Sequence, residues 1–352
     1  MRCVSRCPRV RRVGWIRCSV HWSRQGAGNS ERRRFGLLSL MVMSDGSLVA
    51  PDGGRLFCIP INPVFAQASS DVLRMFREHA SGAVELPTGA VPGGVWVQEA
   101  EALSAIQEEP EHDARWHLHC LLVDACRLVW AHALDHVRAL EHDLVMSPPP
   151  VWSPLTLCRA TLEGAAFVGY LCDPAVSVEQ RLARAASLRV KAAQNRSGAA
   201  AMLGSEEQAA AVRDIAEAEQ LVTAAGAVQQ VNRRGRLTGY TVDGESAPLD
   251  HSISAEIKAF LPSWSTSSYP LVSGAAHGRP WMISRGRSAD GSWAGEAATV
   301  MAALITVMGS LEAGVEAWGA YLGRDVSAVL VAMEEARMSF LTDSFGLAYG
   351  PS

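Results

Sequence analysis

The sequence predicts a mainly α protein, a multi-helix bundle of about eight to ten helices with a small β-hairpin near the N-terminus. Three observations carry this. From about residue 98 onward, apolar residues recur at helical spacing. Start and stop signals, chiefly Ser with Gln three positions on, Pro and Gly, cut that region into segments of ordinary helix length. Only one earlier stretch, Ser47 to Ile61, reads as two short apolar runs about a tight turn, Pro51-Asp52-Gly53-Gly54.

Taken in order, residues 1–34 show no hydrophobic periodicity. ERRRFGLLSLMVM, Glu31 to Met43, sets arginines before an apolar run, as a twin-arginine export signal does. The run is short, Asp45 follows closely and no A-x-A site appears, so residues 1–43 are expected to be a disordered basic extension, with Met41 or Met43 as a candidate start. Residues 44–97 are read as hairpin and linker, the linker being the Pro/Gly-rich Val84 to Val97, and residues 98–345 as a helical bundle domain.

Within the bundle, Asp113 to Met146 is the clearest helix. His119, Cys126, Ala133, Val137, Leu140 and Leu144 share one stripe, with Leu122 and Trp130 beside it. Ser147 and three prolines end it. Ser153-Pro154 opens the next helix as N-cap and first-turn proline, and Asp173-Pro174 stops it after Cys172. Ser177 with Gln180, and Ser205 with Gln208, read as capping boxes for helices reaching about Arg196 and Ala225. Val231 to Val242 reads as a loop or weak hairpin, and helices resume near Ser252 and Ser268. Glu296 to Gly323 is long and strongly apolar. Its uncharged run, Ala297 to Leu311, falls short of the roughly twenty residues a membrane span needs. A core helix or a homodimer seam, with no membrane, is the expectation. Val326 to Leu341 closes the fold.

Charge is unevenly placed. Ten of the 32 basic residues but only one of the 36 acidic ones, Glu31, lie in residues 1–43. The acidic remainder repels nucleic acid on average. The third bundle helix is basic through Arg181, Arg184, Arg189, Lys191 and Arg196, and Arg233, Arg234 and Arg236 cluster in a loop. No aromatic residues interleave with them to stack bases, so they read as solvated faces paired with acidic surface. The eight cysteines include no zinc-finger pairs. They read as reduced thiols in a cytoplasmic protein, with no cofactor expected.

Two helices carry the candidate chemistry. SPLTLCRATLEGAAFVGYLC is apolar almost all round, and its only charges, Arg159 and Glu163, lie one turn apart with Tyr170 on the same stripe. Charges on a helix within a core need partners. In SSYPLVSGAAHGRPW, Pro270 suits a first turn and Gly278 a C′ position, while Tyr269, Ser273 and His277 form a polar stripe at i, i+4, i+8. The two helices are therefore expected to face each other. As a reaction site, His277 would be a general base, Glu163 its orienting carboxylate, Arg159 an anion stabiliser and Ser273 a support or nucleophile. As a structural feature, the same residues are a satisfied network that sets helix register.

R-A-T-L-E at Arg159–Glu163 followed by Asp173-Pro174, and Y-x3-S-x3-H-G at Tyr269–Gly278, resemble an uncharacterised bacterial helical family similar to HEPN and abortive-infection proteins. The resemblance spans roughly residues 110–285. Members usually carry Arg after the Tyr, where this chain has Pro270. The resemblance implies a helical architecture. It also implies, as expectations, a regulatory or interaction module of a defence or mobile-element system, or alternatively a metal-independent ribonuclease or hydrolase using His277, with RNA as partner only in that case. The HEPN R-x4-6-H spacing occurs at Arg127 and His132, but five residues on one unbroken helix turn the side chains roughly 140° apart. His132 and His136 have zinc-ligand spacing without further ligands and read as surface histidines.

Overall fold

The computed structural model describes residues 41–42, 48–49, 61–84, 91–107, 109–283, 286, 295 and 297–349. The chain divides into two units, Met1–Ile59 and Pro60–Ser352. In the first, β1 (Met41–Val42) pairs antiparallel with β2 (Leu48–Val49). The turn expected at Pro51 to Gly54 lies outside the described residues, as does most of the basic extension.

The second unit is mainly α. Its helices are α1 (Pro63–Val84), α2 (Val95–Ser104), α3 (Glu109–Leu144), α4 (Ser153–Cys172), α5 (Val178–Ala200), α6 (Ser205–Ala224), α7 (Ile253–Phe260), α8 (Ser263–Ala276), α9 (Pro280–Ile283), α10 (Ala297–Leu322) and α11 (Ser327–Tyr349). Its β-structure corrects the expected position: the three-stranded sheet lies at residues 228–248, not near the N-terminus. It runs β3 (Val228–Val231), β4 (Leu237–Val242), β5 (Glu245–Pro248), all antiparallel. The β4–β5 link is a two-residue turn, Asp243-Gly244, both at positive φ (47° and 92°). Asp-Gly is the pair such a turn selects. Arg115 of α3 donates to the Asp243 carboxylate at 2.7 Å and so ties the turn to the bundle.

Helix α1 falls where hairpin and linker were expected. Phe65, Ala66, Ser69, Val72, Leu73, Phe76 and Ala80 are all buried on it, an i, i+3, i+4 pattern that packs on α3, α10 and α11. At the other starts, Ser177 does cap α5, its Oγ accepting from the Gln180 amide at 3.2 Å. Ser153 and Ser205 are instead first helical residues, preceded by Trp152 and Gly204. Helix α8 begins five residues before the expected Ser268, so Pro270 sits inside it rather than in the first turn. Its end is as the glycine foretold. Gly278 has φ +59°, and the Arg279 amide donates to the Gly274 carbonyl while the Gly278 amide donates to Ala275. This is the Schellman arrangement.

The core is built round α4, which packs against α3 on one side and α10 on another. Twelve of its twenty residues are buried. Helix α10 is long and apolar enough by length and composition to cross a membrane over Thr299–Leu322, yet 61% of its apolar 18-residue window is buried inside the bundle. Here it is a core helix.

Candidate functional site

Because α4 is enclosed by α3 and α10, its half-buried side chains on one stripe, Arg159, Glu163, Phe167 and Tyr170, are where it meets other elements. Helix α8 covers the N-terminal half of the stripe and α7 the C-terminal half.

At the N-terminal half the two motif segments dock, as their charges require. Arg159 Nε donates to Glu163 Oε1 at 2.7 Å. Tyr269 Oη donates to the same carboxylate oxygen at 3.2 Å. Arg159 Nη1 lies 2.8 Å from His277 Nε2. A guanidinium has only donors, so Nε2 is the acceptor and the ring proton sits on Nδ1. The chain of contacts therefore runs Tyr269, Glu163, Arg159, His277. It is Arg159, not Glu163, that holds the imidazole. The Ser273 hydroxyl makes no hydrogen bond to another described residue, although its carbonyl accepts from the His277 amide. His277 is exposed and is the C-cap of α8.

The motif residues elsewhere do not converge. Arg127 pairs with Asp124 at 3.5 Å on the exposed face of α3. His132 and His136 lie side by side, rings tilted at 53° with centroids 4.2 Å apart, and His136 Nδ1 donates to the His132 carbonyl. Among the described residues no group of three His, Cys, Asp or Glu could hold a metal ion.

The basic helix α5 departs from expectation at two residues, while Arg189, Lys191 and Arg196 pair with acidic groups as expected. Arg181 and Arg184 are buried, not solvated. Arg181 Nε donates to Glu99 Oε1 at 2.6 Å, Nη2 donates to the Asp173 carbonyl at 2.7 Å, and Nη1 donates to the Leu171 carbonyl. Leu171 and Asp173 close α4, so this one side chain satisfies carbonyls that a helix C-terminus leaves open. Tyr321 Oη donates to the other Glu99 oxygen at 3.0 Å, and its ring lies 4.8 Å below the Arg181 guanidinium. Burial pushes the Glu99 carboxyl up against the lowering effect of Arg181. His119 completes the cluster, with Nδ1 3.6 Å from Glu99 and Nε2 unpartnered. Burial, then the Arg181 charge, pull it down to about 4. Arg189 and Arg196 pair with Asp214, and Lys191 with Asp250.

A second polar cluster, missed in the sequence, lies under α7. His251 Nδ1 is 2.8 Å from Glu256 Oε1, and the ring stands against Phe167 and Tyr170 of α4. The one sequence signal was Tyr170 continuing the Arg159–Glu163 stripe.

No family model, no curated protein and no solved structure matches the chain.

Proposed function

We propose that the protein is a helical interaction or regulatory module of the bacterial cytoplasm, within a defence or mobile-element system, in which the α4–α8 cluster is a clasp rather than a reaction centre. The observation that supports this is the donation from Arg159 Nη1 into His277 Nε2. It occupies the lone pair a general base would use, while the carboxylate that would orient such a base faces Arg159 and Tyr269 instead. The family resemblance supports the setting.

The ribonuclease reading draws on the same contact differently: a guanidinium and an imidazole converge on a half-exposed edge, where a phosphate could part them. Purified wild type and His277→Ala incubated with total RNA separate the two. The module reading expects no cleavage by either protein and a stability loss of about 1 kcal/mol or less for the variant, as for exposed polar pairs. RNA cleavage by wild type that a fully folded His277→Ala lacks would sink it.

A further inference from the structure

We infer that His251 and Glu256 form a proton-accepting site, separate from the α4–α8 clasp and independent of how that clasp is read, for the hydroxyl of a small aromatic ligand. His251 precedes the N-cap Ser252 of α7, and Glu256 lies one turn into that helix. The short loop therefore brings the imidazole back over its own helix, where Glu256 Oε1 meets Nδ1 at 2.8 Å. Glu256 is 4% exposed and His251 retains 28% of its side-chain surface. A buried carboxylate on Nδ1 selects the tautomer that leaves the Nε2 lone pair outward, the orienting arrangement general bases use. In contrast to His277, whose Nε2 is occupied, His251 Nε2 has no partner among the described residues.

Two further observations point to a ligand. The second carboxylate oxygen, Glu256 Oε2, is buried with no hydrogen-bond partner. Buried carboxylate oxygens in a purely structural network are normally paired. The flanking rings are also suited to an aromatic guest: Tyr170 lies parallel to His251 (8°, centroids 5.8 Å) and Phe167 at 5.3 Å, with Phe260 edge-on to Tyr170. The neighbouring charges are already committed. Arg184 lies 4.1 Å over the Tyr170 ring, donates to the Tyr170 carbonyl and stands 4.0 Å from Asp173, while Lys191 pairs with Asp250.

The step is a proton transfer. The ligand O–H bond breaks, an N–H bond forms at Nε2, and Nδ1–H stays on Glu256. The imidazolium so formed faces a carboxylate and two π-faces, both of which stabilise a cation. The phenolate remains beside it as its counter-ion.

Carbethoxylation of the full chain with diethyl pyrocarbonate, mapped by peptide mass spectrometry in mildly alkaline buffer, tests this. His251 should react about tenfold faster than His277 despite its lower exposure, and that advantage should vanish in Glu256→Gln. Phenol, which keeps its O–H in that buffer, should protect His251 in wild type and not in Tyr170→Ala. The proposal is overturned if His251 reacts no faster than His277, if Glu256→Gln reacts as wild type does, or if phenol gives no protection. Should Glu256→Gln fail to fold, the comparison of His251 with His277 within wild type decides alone.

Discussion

At the scale of single residues, burial decides which charges matter. His119 stands between Trp96 and Trp116 with its Nε2 unpartnered, and it stays neutral although Glu99 is 3.6 Å away, because desolvation and Arg181 outweigh that carboxylate. A base whose folded pKa is about 4, against about 6.5 unfolded, binds fewer protons folded than unfolded between those values. Its contribution is therefore whole above the unfolded value, declines as pH falls towards 4 and levels below that. Full protonation should cost about 3 kcal/mol. Urea unfolding of wild type and His119→Leu at neutral pH and near pH 4 should show the acid loss shrinking by about that amount in the variant. An unchanged acid loss would mean that His119 titrates normally. The raised Glu99 carboxyl acts in the opposite direction, favouring the folded state as pH falls, and is common to both proteins.

At the scale of elements, close approach between helices is set by small residues. A Cβ added at Gly314 of α10 would fall inside the Trp130 ring of α3. That ring is 2% exposed, and its Nε1 donates to the Ala80 carbonyl at 3.3 Å, so it has nowhere to yield. In an open helix, Gly→Ala stabilises by up to about 1 kcal/mol. Here overpacking should reverse the sign and cost about 2 kcal/mol. Gly198 of α5 meets nothing within 4 Å, so Gly198→Ala should stabilise. Thermal melts of the pair should move in opposite directions, and a stabilised Gly314→Ala would refute the packing argument. The same contrast explains what could be read in advance. Helix ends carry their own local chemistry, so Asp173-Pro174, Ser177 and Gly278 gave α4, α5 and α8 one true boundary each. The Asp243-Gly244 turn was equally local and was passed over, as was the i, i+3, i+4 spacing of α1 at Phe65 to Ala80. What no local pattern holds is the partner. The Arg159–Glu163 and Tyr269–His277 stripes could be matched because largely apolar helices made their polarity conspicuous, although which group would bond which could not. Arg181 looked like one more surface arginine, because its need for Glu99 and for the end of α4 arises only when distant segments pack.

At the scale of the whole molecule, α4 and α10 form the axis on which α1, α2, α3, α7, α8 and α11 pack, and this bears on how the chain assembles. A strongly apolar helix such as α10 can serve as a core or as a seam between two copies. Within one chain, Leu304, Val307, Met308 and Leu311 are already fully enclosed, and α1, α2, α4, α8 and α11 all pack on the helix. A seam would leave that surface open until a second copy covered it. Placing a carboxylate at Leu304 should therefore unfold the chain rather than split an oligomer. An unpaired buried charge costs several kcal/mol, comparable with the roughly 5–15 kcal/mol that holds a domain together. Leu304→Asp should lose helical circular dichroism and elute as aggregate in size-exclusion chromatography. A variant that kept its helical signal and eluted at half the wild-type mass would show instead that α10 joins two copies. The core so defined leaves the stripe from Arg159 to Tyr170 as the edge of α4 where half-buried polar and aromatic groups meet α7 and α8. Both the clasp and the His251–Glu256 pair stand on it, so changes in how α7 and α8 seat on α4 would reach the two together.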